Sequence, residues 1–222
     1  MSLKKAALLI VFILLIDQIS KIYIKTHFEL QESVKVFSWF QILFVENDGM
    51  AWGAKLSDFI PFISDRTAKL ILTLFRIIAV IGIGYWLYNS ILKKQSRILI
   101  VAVALIFAGA LGNIIDSVFY DVLFSHSYGQ VATFLPEGGT NGSIFHGKVV
   151  DMLYFPMWRG TFPEWLPFWG GDAFLFFEPV FNIADIAIST GIGTLLFFNK
   201  RAFSNKNPEE PTIATSQEEL TA

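Results

Sequence analysis

Four stretches of the chain are nearly unbroken runs of apolar residues: 6–24, 67–87, 98–120 and 179–198. Each approaches the roughly 20 residues that a helix needs to cross a bilayer, so four transmembrane helices are expected. The segments between them differ in pattern. Residues 34–45 alternate apolar with polar, the period of a strand, and predict a short hairpin within the segment 25–66. The segment 121–178 has a glycine-rich stretch at 137–142, then Trp158, Trp165, Phe168 and Trp169. Aromatics at that density, broken by Gly and Pro, suit the headgroup layer better than a soluble core. Past Asn205 the chain turns polar, with Pro208, Glu209, Glu210 and Pro211, and a disordered tail is expected over 206–222. Lys4 and Lys5 give the first run the look of a secretory leader, but no small-x-small cleavage site follows and the run continues through Asp17 and Lys21. It is read as a retained helix. The expected fold is an all-α membrane protein of four transmembrane helices, with a small external β element and an external interfacial loop/helix region. All of it forms one integral domain over 1–205.

Composition agrees. The chain is 54% hydrophobic and 16% charged, against about 25% charged in soluble domains. Mean hydropathy is +0.54. A net charge of -2 gives a nucleic-acid partner no electrostatic support. The absence of cysteine excludes disulfides, thiolate metal sites and a cysteine nucleophile. Basic residues set the orientation. Lys4, Lys5, Lys93, Lys94, Arg97, Lys200, Arg201 and Lys206 all fall on one side if both termini are cytoplasmic, as the positive-inside rule prefers. The segments 25–66 and 121–178 then face outward.

A carboxylate near the bilayer centre costs on the order of 2.5–3.5 kcal/mol. Asp17, Asp116 and Asp185 nevertheless sit inside apolar runs. Helix rise puts Asp17 roughly 18 Å from Lys5, Asp116 roughly 28 Å from Arg97 and Asp185 roughly 22 Å from Lys200, all in the outer half of the membrane. Two of them follow an asparagine by three residues, in Asn113-Ile114-Ile115-Asp116 and Asn182-Ile183-Ala184-Asp185. On a helix this spacing puts amide and carboxylate on one face. Gly109 and Gly112 permit close approach of a neighbouring helix, and Pro179 suits the first turn of the fourth. Simpler readings exist for single residues. Asp17 and Lys21 have the spacing of an interfacial ion pair, Asn113 that of helix-joining glue, and a lone buried acid suits a proton relay. Other chemistries lack their signatures. There is no H-E-x-x-H or G-x-S-x-G, His126, His146 and Asp121 have no zinc spacing, and the adjacent Ser20 and Lys21 point to different faces.

An ordered set of motifs resembles one known family. Asp17-Gln18-Ile19-Ser20-Lys21, Asn47-Asp48-Gly49-Met50-Ala51-Trp52, Gly109 to Asp116, Val149-Val150-Asp151 and Phe181-Asn182-Ile183-Ala184-Asp185 together resemble bacterial lipoprotein signal peptidase (signal peptidase II) over about residues 6–200. The resemblance implies a catalytic pair at Asp151 and Asp185, which the residues alone do not single out from Asp17 and Asp116. It implies supporting roles for Asp17, Lys21, Asn47, Gly49, Asn113, Asp116 and Asn182. The implied substrate is a diacylglyceryl-modified prolipoprotein in the outer leaflet of the bacterial inner membrane, cut before its lipidated cysteine without cofactor or metal. Two departures stand out. Ser117 occupies a position where the family commonly has Arg, making Lys148 or Arg159 the expected replacement cation. Asp151 also follows Asp116 by 35 residues, an unusually long insertion. The alternative expectation is a small proton-coupled transporter or lipid-carrier flippase using the same buried carboxylates. Against it, the inner halves of the spans are almost wholly apolar.

Overall fold

The computed structural model describes residues 1–48, 62–140, 142–176 and 179–204. Gly49, within the Asn47–Trp52 motif, and the tail 206–222 lie outside them. Among the described residues four longer helices form: α1 (Leu3–His27), α2 (Asp65–Leu92), α3 (Arg97–Leu123) and α4 (Ile183–Phe197), with a short α5 (Asn199–Ala202) after them. Serine caps open three of these helices, with Ser2, Ser64 and Ser96 accepting from the backbone N–H of Lys5, Thr67 and Leu99. The helices α1, α2 and α3 are long and apolar enough to span a membrane, whereas α4 is an apolar helix of 15 residues. Its expected start at Pro179 is not observed. The chain runs extended through Val180–Phe181 and turns helical only after Asn182, whose side chain accepts from the backbone N–H of Asp185.

The central helix is α3, packed against α1, α2 and α4. Small residues let α4 come close. A Cβ on Gly109 would lie 2.2 Å from the Ala184 carbonyl oxygen, and one on Gly112 would lie 2.6 Å from Asp17 Oδ2. Both glycines are thus needed where sequence placed a close approach. Away from this centre, Leu8, Val11, Phe12 and Leu15 on α1 and Phe75, Ile78 and Ile81 on α2 are exposed. That apolar surface suits lipid rather than water.

The predicted hairpin forms as β1 (Ser33–Phe37) and β2 (Phe40–Asn47), antiparallel. It is larger than the sequence suggests. β3 (Val149–Tyr154) pairs with β2, and β6 (Val180–Phe181) pairs with β3, giving one sheet in the order β1-β2-β3-β6. The expected loop/helix region after α3 contains a second hairpin, β4 (Trp158–Thr161) with β5 (Ala173–Phe176), and among its described residues no helix. Ile24, Phe44, Tyr120, Phe124, Val150 and Met152 form the buried cluster that fastens the first sheet to the ends of α1 and α3. The long insertion folds back on α3. Phe145 N–H donates to the Val118 carbonyl at 3.0 Å and Gly147 N–H to that of Ser117 at 2.9 Å. A Cβ on Gly147 would sit 2.0 Å from the Asp116 carbonyl oxygen, so the insertion closes tightly over this turn.

Candidate active site

The acids predicted at one depth are brought together. Lys21, fully buried, gives its ammonium to Asp17 Oδ2 at 2.9 Å, Asp116 Oδ2 at 2.8 Å and Asn113 Oδ1 at 2.8 Å. That uses all three donors. Gln18 adds bonds to Asp17 at 3.1 Å and Asp116 at 2.9 Å, and accepts from the Tyr120 hydroxyl at 3.1 Å. Asp17 Oδ1 accepts the Ala184 backbone N–H at 2.9 Å. A carboxylate from α1 thereby satisfies an otherwise orphaned donor in the first turn of α4. The interfacial ion-pair reading of Asp17 and Lys21 is therefore too simple: both are fully buried, and the pair ties three helices together.

Asp151 enters from β3, where Val45 is its partner across the strands. It is buried. Its Oδ1 accepts from Asn182 Nδ2 at 2.7 Å and its Oδ2 from the Asn47 amide. Asp185 enters from the first turn of α4. Asn113 Nδ2 donates to its Oδ1 at 2.9 Å, and Asn182 N–H donates to its Oδ2 at 3.1 Å. Asn182 is thus shared: its backbone holds one carboxylate and its amide the other, while it also donates to Asn113 Oδ1 at 3.2 Å. The asparagines do pair with acids, but not as helix periodicity suggests. Asn113 reaches across to Asp185 rather than to Asp116, and Asn182 is a helix cap rather than a position inside the helix. Burial pushes the Asp151 carboxyl up to about 8, and the charge of Asp185 pushes the same way. Lys21 and the amides of Asn182 and Asn47 oppose the shift without cancelling it.

Several contributors were not anticipated. Glu46 is held by Lys25 and by Ser127, whose hydroxyl donates at 2.8 Å. Lys69 donates to the Asp48 carbonyl oxygen at 2.8 Å, Thr73 to that of Phe145 at 3.1 Å, and Arg76 Nη1 to Ser117 Oγ at 3.4 Å. Lys69, Thr73 and Arg76 stand at i, i+4 and i+7 on α2. That spacing inside an apolar run was a legible sign of a polar helix face. Lys148, an expected replacement cation near Ser117, is occupied elsewhere. Its amine donates to the Tyr128 hydroxyl and lies 4.7 Å above that ring, within the insertion. The other expected replacement, Arg159, has a side chain outside the described set.

A bundle of apolar helices with carboxylates gathered at its junction with a small sheet is an architecture suited to an enzyme embedded in a membrane. Residues 9–199 match the family model described as signal peptidase (SPase) II, and the chain belongs to that family. It is 48% identical over 203 residues to the lipoprotein signal peptidase of Porphyromonas gingivalis, covering 90% of this chain and 85% of the relative. It is 35% identical to that of Amoebophilus asiaticus, covering 90% and 78%. A bacterial membrane enzyme solved by the in meso method at 2.3 Å resolution shares 27% identity and aligns with a TM-score of 0.55 over 94% of each chain. The protein is a peptidase of this family, and the transporter or flippase reading finds no support.

Proposed function

We propose that this chain removes the signal peptide from diacylglyceryl-modified prolipoproteins, cutting before the lipidated cysteine, with Asp151 and Asp185 as the catalytic pair. The observation that carries the assignment is the bridging of these two carboxyl groups by Asn182, which places Asp151, an acid with a raised pKa, beside a second carboxyl. In this reading Asp185 takes a proton from water as the water oxygen bonds to the scissile carbonyl carbon. Asp151 gives its proton to the carbonyl oxygen. The resulting diol breaks its C–N bond, the proton on Asp185 passes to the leaving nitrogen, and a diol hydroxyl returns a proton to Asp151. No metal or cofactor takes part. Asp17, Lys21, Asn47, Asn113, Asp116 and Asn182 hold the pair in place, and Gly49, outside the described residues, is proposed to join them.

The proposed setting is the bacterial inner membrane, with four spans, both termini cytoplasmic, and the site toward the outer leaflet. The fourth span is α4, extended at its cytoplasmic end by α5. At about 1.5 Å per residue α4 alone covers roughly 22 Å, short of a 30 Å hydrocarbon core. The shortfall is consistent with its first turn opening in the outer half, where the lipidated substrate lies. Membrane lipid is thus a partner, and nucleic acid is not. A reporter fused at Gln95 should remain cytoplasmic and one inserted at Gly138 should be external. Finding the Gln95 reporter outside would reverse the orientation.

The decisive assay incubates purified protein with a lipidated prolipoprotein and with its unlipidated form across pH. Signal peptide should be released from the lipidated form alone. Activity should decline as pH rises through about 8, because Asp151 then loses the proton it must donate. Release from both forms alike would remove the lipid from recognition, and undiminished activity well above pH 9 would remove Asp151 as the acid.

A further inference from the structure

The buried carboxylates outnumber the cation that visibly pairs with them. Lys21 is committed to Asp17 and Asp116. Among the described residues, Asp151 and Asp185 are held by amide and backbone donors. A second cation stands close by. Arg76, half-buried on α2, is the arginine within that helix's apolar stretch, and its guanidinium reaches Ser117 Oγ at 3.4 Å. The Ser117 hydroxyl in turn donates to the Asn113 carbonyl oxygen at 3.0 Å, and Asn113 holds Asp185. The acids around it are Asp185, Asp116 and Asp151. The other charged group facing it is Lys69, about two turns away on the same helix and turned toward Asp48.

Resting on the peptidase reading above, we infer that Arg76 is a positioning residue: its cation, seated on Ser117, holds the Asp151–Asp185 pair in its singly protonated form. The placement gives it a distinct task from Lys21. Lys21 neutralises the acids that tie the helices together and its charge also reaches Asp151, whereas Arg76 approaches from α2 through Ser117 and Asn113 toward Asp185. An arginine suits this task because its guanidinium stays protonated while the neighbouring acids titrate. Ser117, fully buried and small, leaves the room that the guanidinium fills.

The test compares wild type, Arg76→Met, Arg76→Lys and the double variant Arg76→Met/Ser117→Arg, with Asp185→Asn as reference. Cleavage of lipidated prolipoprotein is followed as kcat and KM across pH. Methionine should lower kcat by about 10- to 100-fold, less than the ~10²–10⁴ that a positioned acid or base supplies. KM should change little. Both limbs of the pH profile should move to higher pH by up to about one unit, since an opposite charge favours the ionised form of each carboxyl. Lysine should fall between wild type and methionine. Arginine at position 117 should bring the profile of the methionine variant back toward wild type by returning a cation to the same space from α3. An unmoved profile in Arg76→Met would overturn the inference even if activity dropped, because lost packing alone does not shift both limbs. If Arg76→Met does not fold, the double variant decides: a wild-type profile supports the inference and a displaced one refutes it. Should Asp185→Asn cleave like wild type, the peptidase mechanism itself falls. An inactive Asp185→Asn beside an unaffected Arg76→Met removes Arg76 alone.

Discussion

Asp151→Asn and Asp185→Asn should each lower turnover by about 10³-fold or more while leaving the protein folded, and the double variant should be little worse than either. Each substitution keeps the shape of the side chain but fixes one member of the pair as neutral, removing the proton donor or the proton acceptor. In each variant one of the two donors keeps an oxygen to bond and the other meets an NH2 group, Asn182 and Asn47 competing at position 151 and Asn113 and the Asn182 N–H at position 185. That loss is small beside that of the ionisable group. Non-additivity is expected because the two groups act in one step, so losing either already forfeits the contribution of the pair. Water attacks directly in this mechanism, and no covalent acyl-enzyme should accumulate. Quenched single-turnover mixtures examined by mass spectrometry check both points. A trapped adduct, or substantial cleavage by Asp185→Asn, would break the mechanism while leaving family membership intact.

The second large effect should be on stability. Lys21→Met keeps the apolar stem but leaves Asp17 and Asp116, both fully buried, without their shared cation. Breaking a buried pair from one side costs on the order of 3–5 kcal/mol, because the remaining charge stays desolvated. In a chain of this size that corresponds to a fall in Tm of roughly 10 °C or more. The loss should be felt at α4 as well, since Asp17 bonds the Ala184 N–H in its first turn. Thermal unfolding in detergent micelles measures it. A decrease of only a degree or two would mean that water or protonation compensates the acids, and that the network is far looser than its geometry implies.

Much of this architecture is legible along the chain because lipid makes hydrophobic runs a one-dimensional signal. α1, α2 and α3 fall where apolar length places them, and Asp17 and Asp116, each legible as an acid inside an apolar run, meet at Lys21. Pairing across the sheet is different in kind. β2 and β3 lie about a hundred residues apart, and nothing local in Val149-Val150-Asp151 shows that Asp151 will face Val45. The start of α4 was misplaced for a similar reason. Pro179 carries a strong local helix-start preference, yet Val180 and Phe181 are drawn into the edge of a sheet whose other strands are remote in sequence. Asn113 illustrates the limit of periodicity, which identifies its helix face but not which neighbour across that face it will bond. Arg76 was overlooked because a single cation in an apolar run barely lowers its hydropathy. The spacing of Arg76 with Lys69 and Thr73 marks a polar helix face, but its partner on α3, Ser117, is visible only in the fold.

Asn182 is the cap of α4 and at the same time the bridge between the two carboxylates. Helix ends fray, and residues at them exchange between closed and open forms far more readily than those inside. Here an open end is not a harmless fluctuation. An opening that moves Asn182 away from the helix end would take with it a bond to each acid, from its amide to Asp151 and from its backbone to Asp185. With Asp151 and Asp185 as the proposed catalytic pair, the fraction of molecules able to react at any instant would depend on the free energy of closing that one helical turn. Slow substrates and fast ones alike draw on that same fraction, and a molecule that bound the frayed turn and kept it open would silence the enzyme without touching the scissile bond.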